Sequence, residues 1–436
     1  MNGAGVRRLS GAGTTDVVVI GAGHSGLAMS AWLAVHGIEH VVLERGEVAN
    51  SWRHERWDSL RLLTPNWQSR LPDYRYRGND PHGFMSMPEV IQFIVRYSRF
   101  IAAPVRTGMA VRSVRQDENG YHVVTDARDW RCRAVVLASG AHGIANVPAF
   151  AASLPASVRS VTPKDYKNPA QLDDAGVLVV GASATGLQLA DEIQASGRAV
   201  TLAVGEHIRM PRVYRGRDIQ WWLNTTGILD QRFDEVEDLV RARRVPSPQL
   251  IGSHERSTLD LNVLRDRGVN IVGRLVGLDS NRAHFSGSLR NECAMADLKL
   301  ARMLDNFDAF AQDSGMSVSG RPERLAATRV DEAPRLGLDL AKERIGTVLW
   351  ATGFRPDFSW LQAPVFDPKG RLRHRGGMVD LPGLYVLGLN FMRRRKSSFI
   401  HGAEDDVREL GHHLVRWLKA PAAHTGRRNI EMRAGI

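Results

Sequence analysis

Residues 16–26 read Asp16-Val17-Val18-Val19-Ile20-Gly21-Ala22-Gly23-His24-Ser25-Gly26, and this stretch decides the fold. The β-branched run predicts a strand, the glycines a tight turn, and the apolar periodicity from Leu27 to His36 a helix. A second strand, His40 to Leu43, ends at Glu44, 18 positions beyond Gly26. Strand, turn, helix, strand and terminal acid together form a dinucleotide-binding βαβ fingerprint, far more specific than a lone glycine pattern. Gly21 permits the turn, Gly23 lets backbone approach a pyrophosphate, and Gly26 lets the helix pack on the strand. Glu44 then accepts hydrogen bonds from ribose hydroxyls.

The same grammar returns 160 residues later. Gly176 to Val180 predicts a strand, Gly181-Ala182-Ser183-Ala184-Thr185-Gly186 a turn, Leu187 to Ala195 a helix and Ala199 to Val204 the next strand. The middle glycine has become Ser183. Two such turns imply two dinucleotides, each with phosphate at a helix N-terminus. Two more apolar strands end alike, at Ala138-Ser139-Gly140 and Ala351-Thr352-Gly353, where small residues let backbone run close to a ligand. A final strand, Leu384 to Leu387, reaches Gly388, and a basic segment, Arg393 to Lys396, precedes an amphipathic helix from about Glu404 to Leu418.

Composition bounds what these motifs can mean. A chain of 436 residues, 43% hydrophobic and 24% charged, has room for two or three compact units. No apolar run approaches the ~20 residues of a membrane helix, and the first 15 residues are small and polar, so a soluble cytoplasmic protein is expected. Only Cys132 and Cys293 are present, 161 positions apart, which argues against a dithiol reductase and a cysteine-held metal. His401, His412 and His413 lack ligand partners, so no metal site is expected. The net charge of +11 owes much to Arg7, Arg8, Lys419, Arg427, Arg428 and Arg433 near the ends. No aromatic-interleaved basic stripe accompanies it, and nucleic acid is not an expected partner.

Taken in order, the two turns, Ala138-Ser139-Gly140, Ala351-Thr352-Gly353-Phe354 and Pro382-Gly383-Leu384-Tyr385-Val386-Leu387-Gly388 resemble the flavin-dependent monooxygenases with two dinucleotide-binding domains. The flavin-containing and YUCCA-like monooxygenases are nearest. Ser51-Trp52-Arg53, Trp57 to Arg61, and Pro211-Arg212 with Gly216-Arg217-Asp218 add to the likeness, which spans about residues 15–418. It implies an α/β fold of two doubly wound Rossmann-like domains, the NAD(P)H domain inserted into the FAD domain. The expected spans are 1–165 and 332–436 for FAD and 166–331 for NAD(P)H.

The implied activity consumes NAD(P)H and O2 and oxidises a small organic molecule through a flavin C4a-(hydro)peroxide. A flavin dehydrogenase or oxidase without oxygen insertion, and a non-catalytic flavoprotein, are the alternatives. FAD contacts are expected from Gly21, Gly23, Ser25, Gly26, Glu44, Arg45, Ser51, Trp52, Val111, Ser139, Gly140, Gly388 and Gly402, the last at the start of a helix aimed at the ring. NAD(P)H contacts are expected from Gly181, Ser183, Ala184, Thr185, Gly186, Thr352 and Gly353. Arg209 and Arg212 would clamp a 2′-phosphate, which favours NADPH, with NADH the alternative.

The sequence departs from the family in two places. Ala156, Val158 and Thr162 stand at the Phe, Gly and His positions of an inter-domain run of which only the aromatic, Tyr166, survives. Leu63 replaces a peroxide-supporting Asn, leaving Thr64 and Asn66 as the nearby candidates. The resemblance also allows a homodimer.

Overall fold

Val17, Val18 and Val19 have no exposed surface, as expected of a strand covered on both faces, and each side chain so buried contributes roughly 1.5–3 kcal/mol. The computed structural model describes residues 11–318 and 320–420. The basic residues at 7, 8, 427, 428 and 433 lie outside the described residues. In chain order, the elements used below are β1 (Gly13–Ile20), α1 (His24–Val35), β2 (His40–Leu43), β3 (Trp130–Leu137), β4 (Arg159–Val161), β5 (Gly176–Val180), α2 (Ala184–Ala195), β6 (Val200–Val204), β7 (Asn270–Gly273), α3 (Leu289–Asp313), β8 (Ile345–Trp350), β9 (Leu384–Val386) and α4 (Gly402–Lys419).

Two sheets organise the molecule, and both are parallel at the centre. The first runs β9, β3, β1, β2 and then Val105–Arg106, with antiparallel strands added beside β3 and β9. The second runs β4, β8, β5, β6, β7, parallel throughout. In both, the glycine-turn strand lies between its βαβ partner and a strand that ends in a small residue, a hydroxyl residue and glycine. The fold is α/β with two Rossmann-like units.

The chain leaves the first sheet after β3 and returns after β8. Ile144–Ala145, on the way out, pairs antiparallel with Phe354–Arg355, on the way back, and the Asn146 amide donates to the Gly353 carbonyl at 2.9 Å. A two-stranded ribbon therefore joins the units. The second sheet takes β4 and β8 from outside the 166–331 span expected for it. Strand pairing draws this wider border, since β8 supplies the register partner of every residue of β5.

Helix α1 is apolar almost all round because it is covered on two sides. One face packs on the first sheet and the other on α4, where a Cβ at Gly411 would lie 2.4 Å from Trp32 Cδ1. His412 meets the Trp32 ring edge-on, and His413 hydrogen-bonds Tyr385. Trp222 has no exposed surface and stacks on Phe307 of α3. Met85 and Met87 are core residues too.

The basic segment before α4 is not a solvated loop. Lys396 is buried between Asp230 and Asp405, Arg393 pairs with Glu409, Arg394 with Asp406 and Glu409, and Arg395 donates to Gln231. Its charges clasp the 228–235 segment onto α4. None of the helices in the described residues is long and apolar enough to cross a membrane.

Candidate functional site

The first glycine turn shows which glycines the fold itself requires. Gly21 has φ +111°, and a Cβ there would lie 2.5 Å from the Ala138 carbonyl at the end of β3. A Cβ on Gly26 would come within 2.0 Å of the Gly21 carbonyl. Gly23 differs. Its backbone, φ −81° and ψ −178°, suits any residue, and an added Cβ meets no protein atom within 4 Å. Nothing in the protein demands glycine at 23, and the residue lines a cavity of about 490 Å³. The first turn of α1 holds no side-chain cap and no acid, and the buried Ser25 Oγ and His24 Nε2 lack partners. Uncapped N–H groups, orphaned polar atoms and open space at Gly23 fit a bound anion such as a pyrophosphate.

Glu44 stands at the end of β2 with 7% exposure. Its Oε2 accepts from the Ala22 amide at 2.8 Å and its Oε1 from the Gly46 amide at 3.2 Å, which leaves a lone pair on each oxygen for a ligand hydroxyl. The cavity wall continues through Arg45, ion-paired to Glu55, then Ser51, Trp52, Val111, Ser139, Gly140 and Gly388. Gly140 and Gly388 have φ of +85° and +75°, and Gly388 lies against Ser25, whose Oγ would be 2.7 Å from its Cβ. Burial lowers His24 from 6.5 to about 4, so the imidazole facing the cavity is neutral at pH 7.

Gly402 is not part of that wall. A Cβ there would lie 1.8 Å from the Lys396 carbonyl, so close backbone packing before α4 accounts for the glycine. Nor does the wall include Thr64 or Asn66. Asn66 is buried, with its Oδ1 accepting from the Met85 amide at 2.8 Å and its Nδ2 donating to the Asp80 carbonyl at 2.9 Å. Its amide holds the 80–85 loop. Residues that sequence reasoning missed include His24, Arg56, Met109, His142, Asp357, Trp360 and Ser398. His24 sat in plain view within the glycine turn. The others arrive from distant loops with no local signature.

The second turn repeats the first. Gly181 has φ +106°, with a Cβ position 2.4 Å from the Ala351 carbonyl at the end of β8, and a Cβ on Gly186 would lie 1.8 Å from the Gly181 carbonyl. Ser183, φ −79° and ψ −176°, copies the backbone of Gly23. Ala184 and Thr185 open α2, again without a cap or an acid. The Ala182 carbonyl accepts from buried Gln249, and Thr352 Oγ1 donates to the Asn146 carbonyl.

Arg209 and Arg212 are corrected by their surroundings. Arg209 is 1% exposed and paired with Asp260 and Asp297. Arg212 is fully buried, 2.5 Å from Asp218, donating to the Leu63 carbonyl and lying over the Phe84 ring. Both guanidiniums are committed to the protein's own acids and cannot also clamp a phosphate in this arrangement. Tyr166 is buried and donates to Glu192 at 3.2 Å. Among the described residues, no group of three or more His, Cys, Asp or Glu is placed to hold a metal. Cys132 and Cys293 lie in different units, and burial pushes both thiols up to about 12.

A family model described as pyridine nucleotide-disulphide oxidoreductase matches residues 18–240, just over half of the chain. The chain belongs to that family. As a member of that family it is an enzyme, and its relatives point to a flavin and a nicotinamide nucleotide. A Geobacillus kaustophilus protein named as an uncharacterized CzcO-like oxidoreductase is 29% identical over 398 residues, 91% of this chain and 97% of its own. The indole-3-pyruvate monooxygenase YUCCA1 of Oryza sativa is 29% identical over 224 residues, 48% of this chain and 52% of that protein. A solved flavin-containing monooxygenase from Stenotrophomonas maltophilia shares the fold with a TM-score of 0.64 at 20% identity, covering 93% of this chain and 99% of that one. Flavin monooxygenases are thus among the proteins it resembles in sequence and in fold.

Proposed function

We propose that this chain is an FAD-dependent monooxygenase that takes hydride from NADPH and one oxygen atom from O2 to oxidise a small organic molecule. The observation that carries the reading is Gly23, where an otherwise space-determined glycine turn leaves room the protein does not fill, beside uncapped helix N–H groups and a large cavity. FAD, when bound, supplies the hydride acceptor and the oxygen-activating group. The chain's own residues bind and orient it. Amides at the start of α1 meet the pyrophosphate, Glu44 meets ribose hydroxyls, and Gly388 gives close backbone approach. Trp52, Trp360 and Met109 offer apolar surface that excludes water from the cavity. The turn at Gly181 to Gly186 takes the nicotinamide nucleotide. Cytoplasmic residence belongs to the same reading.

A second reading, an NAD(P)H dehydrogenase or oxidase without oxygen insertion, is favoured by one observation. The amide of Asn66 is occupied, and neither it nor Thr64 reaches the cavity. Turnover of the purified yellow protein with NADPH under ¹⁸O2, using an alkyl aryl sulfide and an aryl ketone as probes, separates the two. Incorporation of ¹⁸O into product supports the monooxygenase; hydrogen peroxide equal to the NADPH consumed, with no labelled product, supports the alternative.

A further inference from the structure

We propose that Arg274 is the residue that selects a 2′-phosphorylated nicotinamide nucleotide, NADP(H) over NAD(H), in the second unit. The inference rests on the nicotinamide-site reading above and deepens it. In the first unit the residue directly after the βαβ strand is Glu44, whose carboxylate suits a free ribose hydroxyl. The residue in that place after β6 is Gly205, which has no side chain. Strand β7 lies parallel beside β6 with Val204 opposite Gly273, so Arg274 is the first residue beyond the adjacent strand end. A Cβ on Gly205 would lie 3.3 Å from Arg274 Cδ and 3.4 Å from its Cγ. The arginine stem therefore lies tight against the place where an acid's Cβ would stand.

The surroundings leave this guanidinium for a ligand. Its backbone is fixed, since its carbonyl accepts from the Ser286 amide at 2.8 Å and Gly273 packs against the Ser286 carbonyl. Its side chain is exposed and makes no hydrogen bond or ion pair among the described residues. The nearest acid in sequence on the facing loop, Glu206, is engaged by Lys299 at 3.0 Å. Arg209 and Arg212, the other cations after β6, are buried on aspartates. Ligands of open parallel sheets bind beyond the carboxyl ends of the strands, and a fork of N–H donors there matches a phosphate dianion where a carboxylate would repel it.

NAD⁺ and NADP⁺ differ only in the 2′-phosphate, so calorimetric binding of each to the oxidised, FAD-loaded protein reads the arginine without turnover. The wild type is expected to bind NADP⁺ at least about tenfold more tightly than NAD⁺. Arg274→Ala should bring the two close to parity by weakening NADP⁺ alone, and Arg274→Lys should keep part of the preference. An intact preference in Arg274→Ala, or a wild type without one, overturns the assignment while leaving the nicotinamide site standing. Binding of neither nucleotide overturns the site reading and the assignment with it.

Discussion

The two glycine turns have the same backbone and differ in what surrounds it. Gly21 and Gly181 share φ within a few degrees, each held under the carbonyl of an alanine that ends a neighbouring parallel strand, and Gly26 and Gly186 each sit on the carbonyl of the first glycine. These four positions have no space for a side chain, so the fold alone requires glycine. At the middle position the turns diverge. Gly23 and Ser183 have nearly equal φ and ψ, so conformation cannot explain the choice. On the proposed function the difference lies with the ligand. One turn leaves room for backbone contact, and the other tolerates a hydroxymethyl group. After the second strand they diverge again, with an acid in one unit and a glycine flanked by an arginine in the other.

The largest effect should come from the shared positions. Gly26→Val and Gly186→Val each drive a side chain into a carbonyl, and either should cost more than about 3 kcal/mol, seen as a collapse in denaturant midpoint or loss of soluble protein. Normal stability in either variant breaks the equivalence of the turns. Next is Gly23→Val, which should leave the circular dichroism unchanged and lower FAD affinity at least about 100-fold, whereas Ser183→Val should raise the nicotinamide KM only several-fold. A fully yellow Gly23→Val protein would remove the role given to the open space.

Acid should destabilise the first unit through its buried histidines. Burial lowers His24 to about 4 and His374 and His401 to about 3, against 6.5 in an unfolded chain. The unfolded chain therefore binds more protons below pH 6.5, and the stability these neutral imidazoles contribute is whole above that pH and is lost as it falls toward 4 and 3. A loss on the order of 2 kcal/mol for each of these imidazoles is expected between pH 6.5 and 4.5 in equilibrium unfolding. His401→Gln should flatten that slope; an unchanged slope would assign it to other groups. Smallest is Glu44→Gln, which keeps the size but weakens acceptance from ribose, for an FAD affinity loss of about 1–2 kcal/mol by fluorescence titration. Equal affinity would leave Glu44 with only its bonds to Ala22 and Gly46.

Much of this molecule is written locally. Glycine spacing, β-branched runs and the terminal acid fixed both βαβ units because each depends on neighbours within about 30 residues, where hydrogen-bond geometry and hydrophobic period are read directly from residue type. The helix at 402–419 was legible for the same reason, from an apolar stripe at helical spacing. What a charged side chain does was not local. Arg209 and Arg212 read from sequence as phosphate ligands, but the fold gives Arg209 the remote Asp260 and Asp297 and turns Asp218 back onto Arg212, just as it sets Glu409 and Asp230 against the 393–396 charges. Arg274 carried no motif at all, and only the parallel register of β6 and β7 sets it beside Gly205. Gly402 shows the same limit, since its reason is a carbonyl six residues away reached by a turn. Sequence determined where backbone must bend and which strands must be buried, because sterics and hydrophobic period act over short range. Tertiary structure decided which charges remain for a ligand, because a long side chain pairs with whatever acid the fold brings within a few ångströms.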